Sequence, residues 1–112
     1  TEVLQELAEK ASCVIVGRCA DYILRDYNPY KIFVYADMES RLQRCMEHRN
    51  AEEALSEKEM KKKIQRIDDS RAKYYDFYTG QRWGKRENYN ICVNTTGMDI
   101  EKLAAGFVQM LK

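Results

Sequence analysis

The chain has 112 residues, 45% of them hydrophobic and 33% charged, which fits one globular domain near the low end of ordinary size. Its net charge of +1 excludes a global pull toward nucleic acid or an anionic membrane, so any anion recognition must come from local clustering of cations. No apolar run approaches the roughly 20 residues of a membrane-spanning helix, and Cys13, Cys19, Cys45 and Cys92 lack CxxC spacing, so reduced thiols and a cytoplasmic setting are expected.

Val3, Leu4, Leu7, Ala8 and Ala11 recur at helical spacing and predict a short amphipathic helix over 2–11. Cys13-Val14-Ile15-Val16-Gly17 is a continuous apolar run ending in glycine, the pattern of a strand buried on both faces. A turn signal at Asn28-Pro29 leads to a second such strand, Ile32-Phe33-Val34-Tyr35-Ala36. Residues 38–49 place Met38, Leu42, Cys45 and Met46 on one side of a helix. Ser56, followed three residues later by Glu59, has the form of a capping box and opens a long charged helix. In that helix Met60, Ile64, Ile67, Arg71, Tyr74 and Tyr78 fall on one line, which predicts a buried stripe interrupted by Arg71. Trp83 is expected to anchor the loop after Thr79-Gly80. Asn90–Asn94 reads as a third buried strand, and residues 99–111 as a closing helix. Three apolar strands separated by helices predict an α/β fold, a parallel sheet covered on both faces.

In such sheets ligands gather at the carboxyl ends of the strands, which directs attention to Gly17-Arg18, Ala36-Asp37 and Asn94-Thr95-Thr96. Arg18 offers a planar fork suited to phosphate or carboxylate; a surface arginine after a turn would look the same. Arg41, Arg44 and His48 share one helix face, a pattern that a solvated polar face also produces. Arg71, set in an apolar stripe, needs either an internal carboxylate, for which Asp68 at i−3 is available, or a bound anion. Arg66 flanks the same helix. No metal-site spacing and no Ser/His/Asp or Cys/His constellation is present, and Asp68-Asp69 reads as a salt-bridging pair. Tyr74, Tyr75, Phe77, Tyr78 and Trp83, interleaved with Arg71, Lys73, Arg82, Lys85 and Arg86, keep open a non-catalytic module that stacks the bases of nucleotides or RNA. The near-neutral charge and the buried strands count against nucleic acid as partner.

The segments "CVIVGRCADYIL", "IFVYADMESRLQRCMEHR" and "IDDSRAKYYDFYTGQRWGKRENYNICVNT" together resemble the cytidylate kinase-like family, a branch of the nucleoside monophosphate kinases, over about residues 5–110. The resemblance implies a three-layer P-loop-kinase fold that transfers the γ-phosphoryl group of ATP to a nucleoside monophosphate, CMP favoured, with Mg²⁺. It implies that Arg18 grips the acceptor's phosphate and that Arg44 reaches the donor nucleotide. Arg66 and Arg71 would act as lid arginines over the transferring phosphoryl, on a lid-like arm of about residues 52–88. Asp68 would orient the acceptor sugar or a lid arginine, and Asn94, Thr95 and Thr96 would lie near the adenine. These residue types suit a reaction in which the enzyme positions reactants and neutralises charge on equatorial oxygens.

The chain departs from that pattern in one respect. Gly17, Gly80, Gly84, Gly97 and Gly106 form no GxxxxGK[ST] or GxxGSGG run, whereas a P-loop enzyme wraps phosphates with the backbone of such a loop. Residues 1–112 are therefore expected to be the C-terminal part of a single nucleotide-kinase-like domain, without the P-loop and first strands, and inactive alone. Unpaired sheet edges would favour self-association or completion by a missing N-terminal segment. A degenerate kinase-like scaffold used for dimerisation is a third reading.

Overall fold

The structure is a computed structural model that describes residues 4–6, 9, 14–17, 19–49 and 55–111. Its regular elements are helix α1 (Ala20–Ile23), strand β1 (Ile32–Tyr35), helix α2 (Met38–His48), helix α3 (Glu57–Thr79), strand β2 (Ile91–Asn94) and helix α4 (Ile100–Leu111), with single 3₁₀ turns at Arg25–Tyr27 and Arg86–Asn88. Residues 4–6 and 9 have helical backbone, in line with the helix expected over 2–11, of which the other residues lie outside the described set. β1 and β2 form a two-stranded sheet. The pairing is parallel: the Asn90 and Ile91 amides donate to the Lys31 carbonyl at 2.8 and 3.2 Å, and the Thr95 amide donates to the Tyr35 carbonyl at 2.7 Å. The contacts divide the chain into two compact units, residues 1–32 with 68–91, and residues 33–67 with 92–112.

In the first unit, Cys19, Ala20, Leu24, Tyr75 and Thr79 are buried. α1 begins directly after Gly17 and Cys19, both left-handed at φ 72° and 55°. This tight reversal is free for glycine and costly for cysteine. Asn28 adopts a third left-handed conformation at φ 51°, which places the turn expected at Asn28-Pro29. α3 stops where Thr79 is followed by Gly80 at φ 68°, whose amide donates to the Asp76 carbonyl at 3.0 Å. Glycine at that position satisfies a terminal carbonyl without steric cost.

In the second unit, Asp37 caps α2: Ser40 N–H donates to its Oδ1 at 2.7 Å. Asp99 caps α4 in the same way, accepting from the Glu101 and Lys102 amides at 3.0 and 3.2 Å. At the start of α3 the Glu59 amide donates to Ser56 Oγ at 3.2 Å, and Ser56 Oγ donates to Glu59 Oε1 at 3.1 Å, a Ser–Glu cap at the position expected. Among the described residues of this unit, Met60, Ile64 and Thr95 are buried.

Three expectations need correction. Val14, Ile15 and Val16 belong to no strand, and Val14 and Val16 are 94% and 87% exposed. A strand exists only through ladder bonds to a neighbour, and among the described residues none pairs with this segment. The sheet is also not covered on both faces, because Val34 and Tyr35 of β1 remain exposed; two strands present too little area to be sandwiched between helical layers. Finally, Ile67, Tyr74 and Tyr78 are exposed while Tyr75 is buried. At about 100° per residue, Tyr75 falls within roughly 20° and Thr79 within roughly 60° of buried Ile64 on one side of it, whereas Ile67, Tyr74 and Tyr78 fall roughly 40–80° away on the other, so the line drawn through them is displaced from the buried side. Tyr74, Phe77 and Tyr78 instead pack on one another, with ring centroids 4.5 Å apart for Tyr74–Tyr78 and 5.1 Å for Phe77–Tyr78.

Candidate functional site

The carboxyl end of the parallel sheet is organised by Thr95, the residue immediately after β2. Its amide and its hydroxyl both donate to the Tyr35 carbonyl, at 2.7 and 3.0 Å, tying the end of β2 to the end of β1. The same threonine receives the Arg44 guanidinium from α2: Nη1 donates to Thr95 Oγ1 at 3.0 Å and Nη2 to its carbonyl at 2.7 Å. Arg44 is half-buried. Among the described residues no carboxylate lies within ion-pair distance of it, so neutral oxygens hold the cation and its charge is not cancelled. A partly desolvated, uncancelled guanidinium is a seat for an anion.

Beside it, Thr96 Oγ1 accepts from the Asp37 amide at 2.9 Å, and the Thr96 amide donates to Asn94 Oδ1 at 3.0 Å. Asn94 is exposed and Thr96 half-buried, whereas Thr95 is 1% exposed. A cleft of about 490 Å³ opens next to this cluster, with Asp37, Glu39, Ser40, Glu57, Thr96 and Gly97 in its wall. Three carboxylates there repel phosphate, so a polyphosphate is better matched to Arg44 than to the cleft. Among the described residues no group of three His, Cys, Asp or Glu side chains could hold a metal ion.

The other expected site residues are distributed as follows. Arg66 and Arg71 on α3 are both exposed and form no hydrogen bond or ion pair with the described residues. Asp68, one of the two partners open to Arg71, is half-buried and has an interaction of its own, while Arg71 bonds to none of the described residues. Exposure also removes the reason Arg71 was thought to need a partner, since a solvated guanidinium carries no desolvation cost. Arg18 lies outside the described residues. Trp83 is half-buried, and its amide donates to Asp76 Oδ1 at 3.0 Å, which fixes the turn after α3.

One interaction had no signal in the sequence. The buried Tyr75 hydroxyl donates to Asp21 Oδ2 at 2.7 Å and lies 3.1 Å from Gln81 Oε1, joining α1 to the end of α3. Burial first, and then the Asp21 carboxylate, push the Tyr75 phenol far above its ordinary range. Burial and the Asp21 charge also raise the Cys19 thiol. Partners 54 positions apart leave no periodicity to read.

The chain is thus α/β, with a parallel strand pair, an arginine fork at the carboxyl end of its strands and exposed arginines on a long helix. The chain belongs to the cytidylate kinase-like family, whose family model matches residues 1–97. Among solved structures it is similar to a crystal structure of an uncharacterized protein from Eubacterium ventriosum ATCC 27560, at 30% identity and a TM-score of 0.82. The match covers 97% of this chain but 60% of that one, so the chain spans less than two thirds of that relative's length. No curated protein matches. Among the described residues no helix is long and apolar enough to cross a membrane.

Proposed function

We propose that this chain is the nucleotide-facing part of a nucleoside monophosphate kinase that transfers the γ-phosphoryl group of ATP to a nucleoside monophosphate, with CMP as first candidate. The observation that carries the reading, beside family membership over residues 1–97, is the Arg44 guanidinium held by neutral oxygens at the strand ends. In this reading Arg44 binds the donor's phosphates, and Asn94 and Thr96 line the approach to its adenine. Arg18 grips the acceptor phosphate, Asp68 orients the acceptor sugar or a lid arginine, and Arg66 and Arg71, bonded to none of the described residues, close over the transferring group. Their freedom fits that role, because lid arginines deliver N–H donors only when the substrate is in place. Mg²⁺, when bound, neutralises charge between the phosphates; no residue described here is assigned to it.

The 112 residues contain no glycine-rich phosphate loop, so the chain alone is expected to lack phosphotransfer. The test is ADP release with Mg·ATP and CMP, UMP or AMP, run on the 112-residue chain and on the product of the full reading frame that contains it. Activity is expected in the second and not in the first. Turnover by the isolated chain would overturn the assignment of the phosphate cradle elsewhere. No turnover by either protein, with any acceptor, would overturn the kinase reading.

A further inference from the structure

We infer that Thr95 is a positioning residue for Arg44 and does not itself contact the nucleotide. The inference rests on the reading of Arg44 as the donor-phosphate arginine. Thr95 is 1% exposed, so no ligand can reach its side chain without opening the fold. Most of its bonding capacity is also committed. A threonine hydroxyl has one donor and two acceptor sites; the donor goes to the Tyr35 carbonyl and one acceptor site to Arg44 Nη1. Its carbonyl takes Arg44 Nη2, and its amide is spent on Tyr35.

The arrangement behaves as a clamp in two stages. The Tyr35 carbonyl, fixed in the strand pair, accepts from both the amide and the hydroxyl of Thr95 and sets that side chain's rotamer. The Thr95 hydroxyl and carbonyl, now fixed relative to each other, accept from both terminal nitrogens of the Arg44 fork. Two of the five guanidinium N–H donors are used, and three remain for a ligand. A long flexible side chain is thus ordered before the ligand arrives, which removes an ordering cost that binding would otherwise carry. The acceptors are neutral, so the clamp orders the guanidinium without cancelling its charge. A carboxylate in the same place would have done both.

The test is equilibrium binding of ATP by calorimetry to the protein from the full reading frame, comparing wild type with Thr95→Val, Thr95→Ala, Thr95→Ser, Arg44→Lys and Thr95→Val/Arg44→Lys. Thr95→Val keeps the shape and removes the hydroxyl; Thr95→Ala gives a second deletion should valine fail to fold. Lysine keeps the charge but cannot fork. Loss of one charge-assisted bond that orders the fork predicts ATP binding about tenfold weaker in Thr95→Val and Thr95→Ala. Thr95→Ser should recover to within about twofold, since it restores the hydroxyl. The double variant should bind no more weakly than Arg44→Lys alone, because both changes break the same unit. Wild-type affinity in the hydroxyl-less variants, or losses that multiply in the double variant, would overturn the inference and leave the kinase reading intact. Absence of ATP binding by the wild type would instead remove both.

Discussion

Replacing Tyr75 with phenylalanine isolates one buried hydroxyl. Tyr75 is 5% exposed, and phenylalanine fills the same ring volume, so the change deletes the 2.7 Å bond to Asp21, the 3.1 Å contact with Gln81 and the hydrogen bond with Tyr89. A hydrogen bond to a charged group contributes about 1.5–3 kcal/mol. Asp21 is only half-buried, so water can take over part of its hydration, and the lower part of that range applies, about 1.5–2 kcal/mol. For a chain of this size each kcal/mol moves the melting midpoint by about 4 °C, giving a fall of roughly 6–8 °C. Urea unfolding and thermal circular dichroism at pH 7 measure both quantities on the same sample. Asp21→Asn and the double variant close a cycle in which the coupling should be at least about 1 kcal/mol. A loss below about 0.5 kcal/mol for Tyr75→Phe, the size of an unremarkable surface change, would show that the α1–α3 contact holds by apolar packing and that the hydroxyl bonds are incidental.

The same network sets a pH dependence. Tyr75 and Cys19 both hold their protons more tightly when folded, so their contribution is complete below the unfolded pKa values and is lost as pH rises above them. Stability should stay level to about pH 8 and fall beyond pH 9–10, by at most about 1.4 kcal/mol per pH unit for each group; Tyr75→Phe should flatten the part above pH 10. A profile unchanged by that substitution would contradict the assignment. Asp37→Ala removes the cap on the Ser40 amide and should cost about 1 kcal/mol, read by urea unfolding; no loss would mean that water replaces the cap. Arg71→Met, at an exposed position bonded to none of the described residues, should change stability by less than about 0.5 kcal/mol. In the protein from the full reading frame it should lower kcat by about 10²-fold or more. A stability loss that accounts for the activity loss would make Arg71 a structural residue.

The elements that could be read from the sequence are those with local causes. α2, α4 and the start of α3 lie within a residue or so of their expected bounds, because Asp37, Asp99 and the Ser56–Glu59 pair are capping residues whose effect is confined to one turn. What could not be read depends on partners. The apolar run at Val14–Val16 has the composition of a buried strand, but composition does not supply a ladder. The α3 stripe failed similarly. Tyr74, Tyr75 and Tyr78 are alike in type, and the one that is buried bonds Asp21, far away in sequence. At the candidate site, Arg44 and Thr95 could each be singled out by position, one on a helix face and the other after a strand. That both terminal nitrogens of Arg44 are committed to Thr95 is a fact of geometry without a pattern in the chain.

The parallel pairing of β1 with β2 also constrains how the protein comes to be folded. The residues that meet at its two ends, Lys31 with Asn90 and Tyr35 with Thr95, are 59 and 60 positions apart. Closing a loop of that length in a flexible chain costs roughly 4 kcal/mol of entropy before any ladder bond forms. The capped turns of α2 and α3, whose bonds span three or four residues, carry no such cost and can nucleate early. In refolding experiments the helical signal should therefore rise ahead of protection at the Thr95 amide, which can be guarded from solvent only when the distant strand arrives.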